Sequence, residues 1–281
     1  MFVFRSPCVV NMNLKDTRLS REEIRCLLEL FVKDKVLCVR INADTEMIAD
    51  DEMRELYAKA AKDGLGLEWN LEPKMLELLD IEVLDSISDY INFILLQKRD
   101  IDSVISCIRK CNKAVVRVCI LVDHSNLGEL NGIITELRTV SEKISAVYCM
   151  PRYSINEDSL VLSQDEVDDL SVDLIDIADE TEDSFPVYYK DGSDEIRCLL
   201  SGKTVMSSVY IEADGEVMLN EWFHISFGNV KDMVFSDIWK NCNTFWFNDK
   251  TKLYFSGFMS LYQLEKPEYF SRRIQFREIV G

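Results

Sequence analysis

The first two-thirds of the chain alternates short apolar runs with amphipathic stretches. Runs such as KVLCVRIN and AVVRVCILV are almost continuously apolar, which is typical of strands that are buried on both faces of a parallel sheet. The stretches between them repeat apolar residues at the spacing of one helix face. The first helix is predicted to begin after Ser20, because Glu23, three residues later, completes a capping box.

This pattern predicts six successive strand–helix units. The predicted strands lie in FVFRSPCVVNMNL, KVLCVRIN, GLEWNLEP, YINFILLQK, AVVRVCILV and ISAVYCMPRY. The predicted helices lie in EEIRCLLELFV, ADDEMRELYAKAAKD, KMLELLD, DIDSVISCIRKC, NLGELNGIITELRTVSEK and SQDEVDDLSVDLIDIADE. Such alternation requires parallel strands joined by right-handed crossovers, as in an open doubly wound sheet or an incomplete barrel. In both, functional residues lie at the carboxyl ends of the strands.

The pattern changes near residue 181. The segment ETEDSFPVYYKDGSDE is polar, contains Pro and Gly, and is predicted to be a linker. Beyond it the periodicity becomes two, and Asp214-Gly215 predicts the turn of a hairpin. The predicted domains are a partial barrel over 1–180, a linker over 181–195, and a small α+β module with an aromatic tail over 196–281.

Composition narrows the possible functions. The net charge is -18, from 32 basic and 50 acidic residues, and it disfavours nucleic acid and membrane surfaces while attracting basic peptides or proteins. No apolar run reaches the ~20 residues that span a bilayer, and the start MFVFRSPCVV is too short for a secretory signal. The nine cysteines, an odd number scattered through apolar segments, predict reduced, buried thiols in a cytoplasmic protein.

Three dipeptides in the last third follow one another in a recognisable order: Asp214-Gly215 in a hairpin, Gly228-Asn229 in a second turn, and Ile238-Trp239 in a helix. Upstream, Cys198 and Gly202 resemble a C-x-x-G motif stretched by one residue. Together with six strand–helix units, this frame resembles radical S-adenosylmethionine (SAM) enzymes that carry a SPASM extension. The resemblance implies an α/β fold: a partial (βα)6 TIM-like barrel of the radical SAM type followed by a small α+β SPASM-like module.

The sequence departs from that family where its chemistry resides. A [4Fe–4S] cluster needs at least three converging thiolates, and Cys8 stands alone where the family has C-x-x-x-C-x-x-C. Asn42, Ala43 and Asp44 replace the Gly-Gly-Glu segment that holds SAM. The resemblance therefore implies a catalytically inactive pseudo-radical-SAM/SPASM protein, without cofactor or metal. Such a protein is expected to bind a precursor peptide or a true radical SAM enzyme during modification of ribosomal peptides.

A second hypothesis is a non-radical barrel enzyme that acts on a small molecule through polar residues at the strand ends. Its catalytic residues would be Asp44, Glu72 and His124, with His124 as a general base. In the partner-protein hypothesis the same edge forms a groove for the partner or ligand, made of Asn42, Asp44, Asn70, Lys98, Asp123, His124 and Arg152. The absence of G-x-G-x-x-G and G-x-x-x-x-G-K-[ST] argues against nucleotide binding.

A third hypothesis is a structural subunit that dimerises through its aromatic tail. Aromatic side chains within a polar rim suit the core of an interface. An exposed patch of this size would invite aggregation, however, which favours a tail that folds back across the barrel and covers it. Cys107 and Cys111 form C-x-x-x-C, which can suggest a metal site. On a helix they share a face with Val104 and Ile108, so the pattern favours packing in the core.

Overall fold

The structure is a computed structural model, and it describes most of the 281-residue chain. The described residues are 4–151, 162–181, 184–190, 193–201, 206–220, 225–256 and 273–280. They divide into two compact units, one formed by Met1–Leu67 with Gly192–Gly281 and the other by Glu68–Asp191. The predicted domains, 1–180, 181–195 and 196–281, divide the chain at other positions. They stay a prediction, because compactness does not test which segments fold independently.

Strands and helices alternate through most of the chain. The strands are β1 Val9–Leu14, β2 Cys38–Ala43, β3 Gly66–Leu71, β4 Tyr90–Leu95, β5 Val115–Val122, β6 Ile144–Pro151, β7 Val187–Tyr189, β8 Ser208–Ile211, β9 Glu216–Met218, β10 Ile225–Asn229 and β11 Ile274–Gln275. The helices are α1 Arg21–Lys33, α2 Thr45–Ala49, α3 Asp51–Lys62, α4 Ile81–Ile87, α5 Ile101–Lys110, α6 Leu130–Leu137, α7 Gln164–Thr181, α8 Ser193–Ser201, α9 Phe235–Trp246, α10 Asp249–Phe255 and α11 Phe276–Val280.

The first unit orders its strands β11-β10-β9-β8-β1-β2. β1 pairs in parallel with both β2 and β8, whereas β8, β9 and β10 are antiparallel neighbours. The hairpin predicted at Asp214-Gly215 is confirmed as β8–β9, and Gly215 has a φ of 91°, a conformation that favours glycine. The first strand of this hairpin also continues the parallel sheet beside β1.

The second unit orders its strands β3-β4-β5-β6-β7, all parallel. The segment predicted as a linker contains β7, which pairs with β6 and is only three residues long. After β7 come α8 and then β8, so strand and helix alternate beyond the six predicted units. An α/β fold with mostly parallel strands is thereby confirmed. Neither a SPASM-like module nor a radical SAM type of barrel is shown.

Local signals explain where several helices begin. Ser20 and Glu23 form the predicted capping box at α1, each side chain accepting the other residue's backbone N–H. The predicted helix over KMLELLD is wrong, because Pro73 begins only a single 3₁₀ turn, Pro73–Met75. The helix lies further along, at α4, where the Asp80 side chain accepts the backbone N–H of Val83.

A buried carboxylate fixes the connection between α5 and β5. Asp85, on α4, is 5% exposed and accepts hydrogen bonds from three successive backbone N–H groups. The distances are 2.9 Å to Asn112 N, 2.9 Å to Lys113 N and 2.8 Å to Ala114 N. This loop therefore has its backbone donors satisfied by a side chain 27 to 29 residues earlier in the chain.

Aromatic side chains form much of the core of the first unit. Phe227 of β10 packs edge-on against Phe245 of α9, with ring centroids 5.3 Å apart, and also against Phe276 of α11. Phe31 of α1 packs against Phe235 of α9 in the same way, at 5.3 Å. The predicted aromatic tail thus contributes to the core through its described part, while its residues 257–270 lie outside the described residues.

Candidate functional site

The strongest candidate site is a row of polar side chains across β3, β4 and β5. Asn70, Asn92 and Arg117 are directly opposite one another in the registers of these parallel strands, so their side chains share one face of the sheet. On the same face lies Glu68, two residues before Asn70. We call these four residues the polar row. The opposite face of the strands is apolar, with Trp69, Phe93 and Val118 at 0% exposure.

Within the polar row, hydrogen bonds converge on Asn92 and Glu68, each of which is 4% exposed. Asn92 Nδ2 donates to Glu68 Oε1 at 2.6 Å and to Asn70 Oδ1 at 2.8 Å. Arg117 Nη1 donates to the same Glu68 oxygen at 3.2 Å, forming an ion pair. The buried carboxylate is therefore both hydrogen-bonded and charge-paired, as buried charges must be.

Arg117 is oriented by a third contact. The guanidinium carbon lies 4.0 Å from the centroid of the Tyr90 ring, in a cation–π arrangement. Its side chain is 23% exposed, compared with 5% for that of Glu68. The pair with Glu68 and the ring of Tyr90 thus fix the plane of a guanidinium group that solvent can still reach.

The polar row does not satisfy all of its own hydrogen-bonding atoms. Among the described residues, Arg117 Nε and Nη2, Asn92 Oδ1 and Asn70 Nδ2 have no hydrogen-bond partner. None of these atoms is both fully buried and unsatisfied. The row therefore offers two donor groups and, between them, one acceptor to a molecule arriving from solvent.

A second group of polar residues lies at the carboxyl end of β5. His124 Nε2 is 2.9 Å from Glu166 Oε2, and Glu166 also accepts from the backbone N–H and the hydroxyl of Ser163, at the start of α7. The hydrogen bond with His124, followed by those from Ser163, lowers the pKa of the Glu166 carboxyl to about 2. His124 is thus positioned by a carboxylate, and Glu166 rather than Asp44 is its described partner.

The other predicted residues of this unit have structural contacts. Glu72 Oε2 pairs with Lys74 Nζ at 2.9 Å, and Lys98 Nζ lies 3.7 Å from Glu136 Oε1. Asp123, 1% exposed, accepts from both the backbone N–H and the hydroxyl of Ser125, within the turn that follows β5. Only Asn70 of the predicted set belongs to the polar row.

The remaining predicted residues belong to the first unit or lie outside the described residues. Asn42, on β2, is opposite Asn13 in the β1–β2 register. Asp44 follows β2 and accepts the backbone N–H of Asp16 at 2.7 Å. Arg152 lies outside the described residues. Asp44 therefore belongs to one unit, whereas Glu72 and His124 belong to the other.

The turn residues that suggested a SPASM extension have direct structural roles. Asn229 Nδ2 donates to Asp214 O and to Glu216 Oε2, both at 3.2 Å, while Asn229 Oδ1 accepts from Lys231 N. Arg273 pairs with Asp214 at 2.6 Å. Burial acts to raise the pKa of the Asp214 carboxyl, but the hydrogen bond from Arg273 outweighs it, so the pKa is lowered overall. We call this set the hairpin network.

The cysteines show no ligand set. Cys107 and Cys111 are buried, at 5% and 1% exposure, so their predicted packing in the core is confirmed. Burial raises the pKa of both Cys111 and Cys149 to about 12, which disfavours the thiolates that iron requires. Among the described residues, no three His, Cys, Asp or Glu side chains form a group that could hold a metal ion.

In the part of the chain that the structure describes, no helix combines the length and the apolar character that crossing a bilayer requires.

Comparisons with known proteins give no family. No protein-family model matches the chain, and no curated protein matches it significantly. A solved structure described as the N-terminal domain of a candidate aldolase from Bacteroides vulgatus is 11% identical, with a TM-score of 0.46, over 93% of this chain and 96% of its own. An HpcH/HpaI aldolase from Desulfitobacterium hafniense DCB-2 is 9% identical, with a TM-score of 0.41, over 74% and 87%. At these values the likeness carries no function to this chain.

The identification as a radical SAM/SPASM-like protein is nevertheless wrong. No protein-family model matches the chain, and the two similar solved structures named above are described as aldolases. The inferred role as an inactive partner in ribosomal-peptide modification depended on that resemblance and is withdrawn with it. The physical reason for the error is that turn residues such as Asp214 and Asn229 serve the hairpin itself.

Sequence reasoning missed three of the four residues in the polar row. Glu68, Asn92 and Arg117 lie inside predicted strands, and the prediction placed functional residues only after the strand ends. A signal was present: the strands GLEWNL, YINFIL and VVRVCILV each carry a charged or amide side chain in their interior. Buried parallel strands seldom do so.

Proposed function

We propose that this protein is an enzyme that acts on a small polar molecule bound at the polar row. The proposal rests on one observation: Asn70, Asn92 and Arg117 are aligned across three neighbouring parallel strands, and their outward atoms are unpaired among the described residues. These open atoms are not fully buried, so water can reach them. A ligand that completes the row would replace that water with fixed hydrogen bonds.

The chemistry that this arrangement favours is stabilisation of negative charge. Arg117 is held by Glu68 and Tyr90, so its guanidinium needs little reorganisation when charge develops on a substrate oxygen. Preorganised donors in a partly desolvated site stabilise such charge more strongly than water does. Glu68 would act as a positioning residue, because its carboxylate is already occupied by Arg117 and Asn92.

The test is a binding screen with a matched pair of variants. Thermal shift and titration calorimetry would be run with a panel of sugars, amines, carboxylates and phosphate esters on the wild type, Arg117→Lys and Arg273→Lys. Lysine keeps the charge beside Glu68 but has no planar fork. We expect at least one compound to bind the wild type and Arg273→Lys, and to bind Arg117→Lys roughly tenfold or more weakly.

Two results would count against the proposal. Either no compound in the panel binds the wild type, or the compounds that bind do so equally well after Arg117→Lys. Circular dichroism of each variant separates a lost contact from a lost fold.

His124, at the carboxyl end of β5, together with Glu166 is a second candidate for the catalytic groups. The observation that favours this pair is its short contact, since a carboxylate that orients an imidazole is a common acid–base arrangement. His124 follows Arg117 by seven residues, at most about 23 Å along the chain, and it lies in the turn after β5, so the two candidates are at different positions along this strand. Once a substrate is known, loss of turnover in His124→Gln but not in Arg117→Lys would favour the strand end.

A further inference from the structure

We infer that the ligand of the polar row is a small carboxylic acid that carries a hydroxyl group beside its carboxylate. This inference rests on the proposed function and adds the chemical class of the substrate. It follows from which atoms of the row are used and which remain open.

The open edge of Arg117 suits a carboxylate. Nη1 is occupied by Glu68, which leaves Nε and Nη2 without a partner among the described residues. These two groups lie on one edge of the planar guanidinium, and together they match the two oxygens of a carboxylate in a bidentate contact. Because Tyr90 lies against the guanidinium face, the contact is made in the plane of the group.

The charge of the site favours a monoanion over a phosphate dianion. Glu68 lies against Arg117, so the pair is neutral overall, and the whole chain carries a net charge of -18. A dianion would be repelled by the carboxylate beside its binding partner. A carboxylate adds only one negative charge and uses the same fork.

The neighbouring strand supplies the contact for a hydroxyl group. Asn92 is opposite Arg117, and both of its Nδ2 hydrogens are directed to Glu68 and Asn70, which leaves Oδ1 as an acceptor. Neighbouring strands lie ~4.8 Å apart, so a donor on the carbon next to the carboxylate would be within reach of Asn92 Oδ1. A hydroxyl group is such a donor, and it can in turn accept from solvent.

The third position of the row limits the size of the ligand. Asn70 Nδ2 is an open donor on the next strand, about 10 Å from the Arg117 strand at the usual spacing. It can donate to a second oxygen further along the molecule. A chain of three to five carbons with oxygens at both ends spans this distance once a hydrogen bond of ~3 Å is added at each end, whereas a sugar polymer or a peptide is not required.

The experiment is titration calorimetry with four probes: glycerate, propionate, 1,2-propanediol and inorganic phosphate. Propionate removes the hydroxyl groups, propanediol removes the carboxylate, and phosphate replaces it. We expect glycerate to bind the wild type at least tenfold more tightly than each of the other three. We expect Arg117→Lys to weaken glycerate roughly tenfold or more, with Arg273→Lys unchanged.

The Asn92→Leu variant tests the hydroxyl contact. In this variant the preference for glycerate over propionate should fall at least severalfold, because the hydroxyl beside the carboxylate loses its acceptor and glycerate keeps only the Asn70 contact that propionate lacks. If this variant does not fold, the comparison of glycerate with propionate on the wild type still decides the point. Equal binding of the two acids to the wild type, or tighter binding of phosphate, overturns the inference.

The two proposals fail separately. If another class of compound in the screen binds in a manner that depends on Arg117 while glycerate does not bind, the substrate class is wrong and the site remains. If no compound of any class binds, both proposals fail.

Discussion

The hairpin network and the polar row are two sets of polar residues built on strands, and they differ in how completely their hydrogen bonds are used. In the hairpin network, both sides of the Asn229 amide are occupied, by Asp214 and Glu216 on the nitrogen and by Lys231 on the oxygen. In the polar row, Asn92 uses its nitrogen twice, while its oxygen has no partner among the described residues.

The difference separates a structural role from a binding role. A network that satisfies its own donors and acceptors fixes a turn and needs nothing further. A network that retains open atoms in a partly buried place is prepared for a ligand or for ordered water. The hairpin network carries the recognisable order of dipeptides but satisfies its own hydrogen bonds, whereas the polar row carries no motif and retains open atoms.

The largest expected difference between the two networks lies in their ion pairs. Arg117→Met should lower the free energy of unfolding by about 3 kcal/mol, because it removes the guanidinium that pairs with the 4%-exposed Glu68. Arg273→Met should cost at most about 1 kcal/mol, because that side chain and Asp214 are 38% and 29% exposed. Urea unfolding of both variants measures the contrast.

Equal losses of stability in the two methionine variants would remove the distinction between a buried and an exposed network. Glu68→Gln combined with Arg117→Met serves as the control, since removal of both charges should recover part of the loss.

The next largest expected effect is a loss of stability when a methyl group is added within the closely packed hairpin network. A methyl group at Gly215 would lie 2.9 Å from Asn229 Oδ1 and 3.1 Å from Val230 Cγ2, at a residue whose φ is 91°. Gly215→Ala should therefore cost about 2 kcal/mol or more. Gly64→Ala is the matched control, because φ there is 94° and nothing lies within 4 Å, so it should cost about 1 kcal/mol.

Thermal unfolding of the two alanine variants measures this effect. A smaller loss at Gly215 than at Gly64 would show that the hairpin has spare room and that its network is not closed.

The smallest effect belongs to a third polar network, formed by Glu166 with Ser163 and His124 at the start of α7. The pKa of Glu166 lies near 2, below its ordinary value of 4.5, so its contribution to stability is present above pH 4.5 and is lost as the pH falls towards 2. Glu166→Gln should lower the urea midpoint slightly at pH 6, and the difference from the wild type should shrink as the pH falls below 4.5.

Asp165→Asn removes the same charge from the same helical turn and is the control for net charge. A difference between wild type and Glu166→Gln that stays constant from pH 6 to pH 2.5 contradicts the assignment of the low pKa to this network.

Much of the fold was predictable because its signals are local. The Ser20–Glu23 capping box and the apolar runs of the first six strands each contain their own physical cause. β7 was not predictable in this way, since three residues within a polar segment carry no periodicity, and only their pairing with β6 makes them a strand. The helix predicted over KMLELLD lies further along the chain, at α4. Pro73 begins only a single turn, and the helix itself begins after Asp80, whose side chain caps it.

The candidate site was less predictable. Asn70 was found because it lies near a strand end, where polar residues are expected. Glu68, Asn92 and Arg117 were not, because their meaning depends on register: only the alignment of three separate strands brings them to one face. The spacing of these residues along the sequence does not indicate that alignment.

The carboxylate of Asp85 has a consequence for the loop that it joins. Three consecutive amide hydrogens, from Asn112 to Ala114, converge on its two oxygens, and such a concave run of main-chain donors attracts any small anion. The loop therefore has the form of a binding site for a small anion such as chloride or formate, and the Asp85 carboxylate of the same chain occupies it. In Asp85→Ala the three N–H groups would lose this carboxylate. The conformation of residues 112–114 would then depend on which small anions are dissolved with the protein.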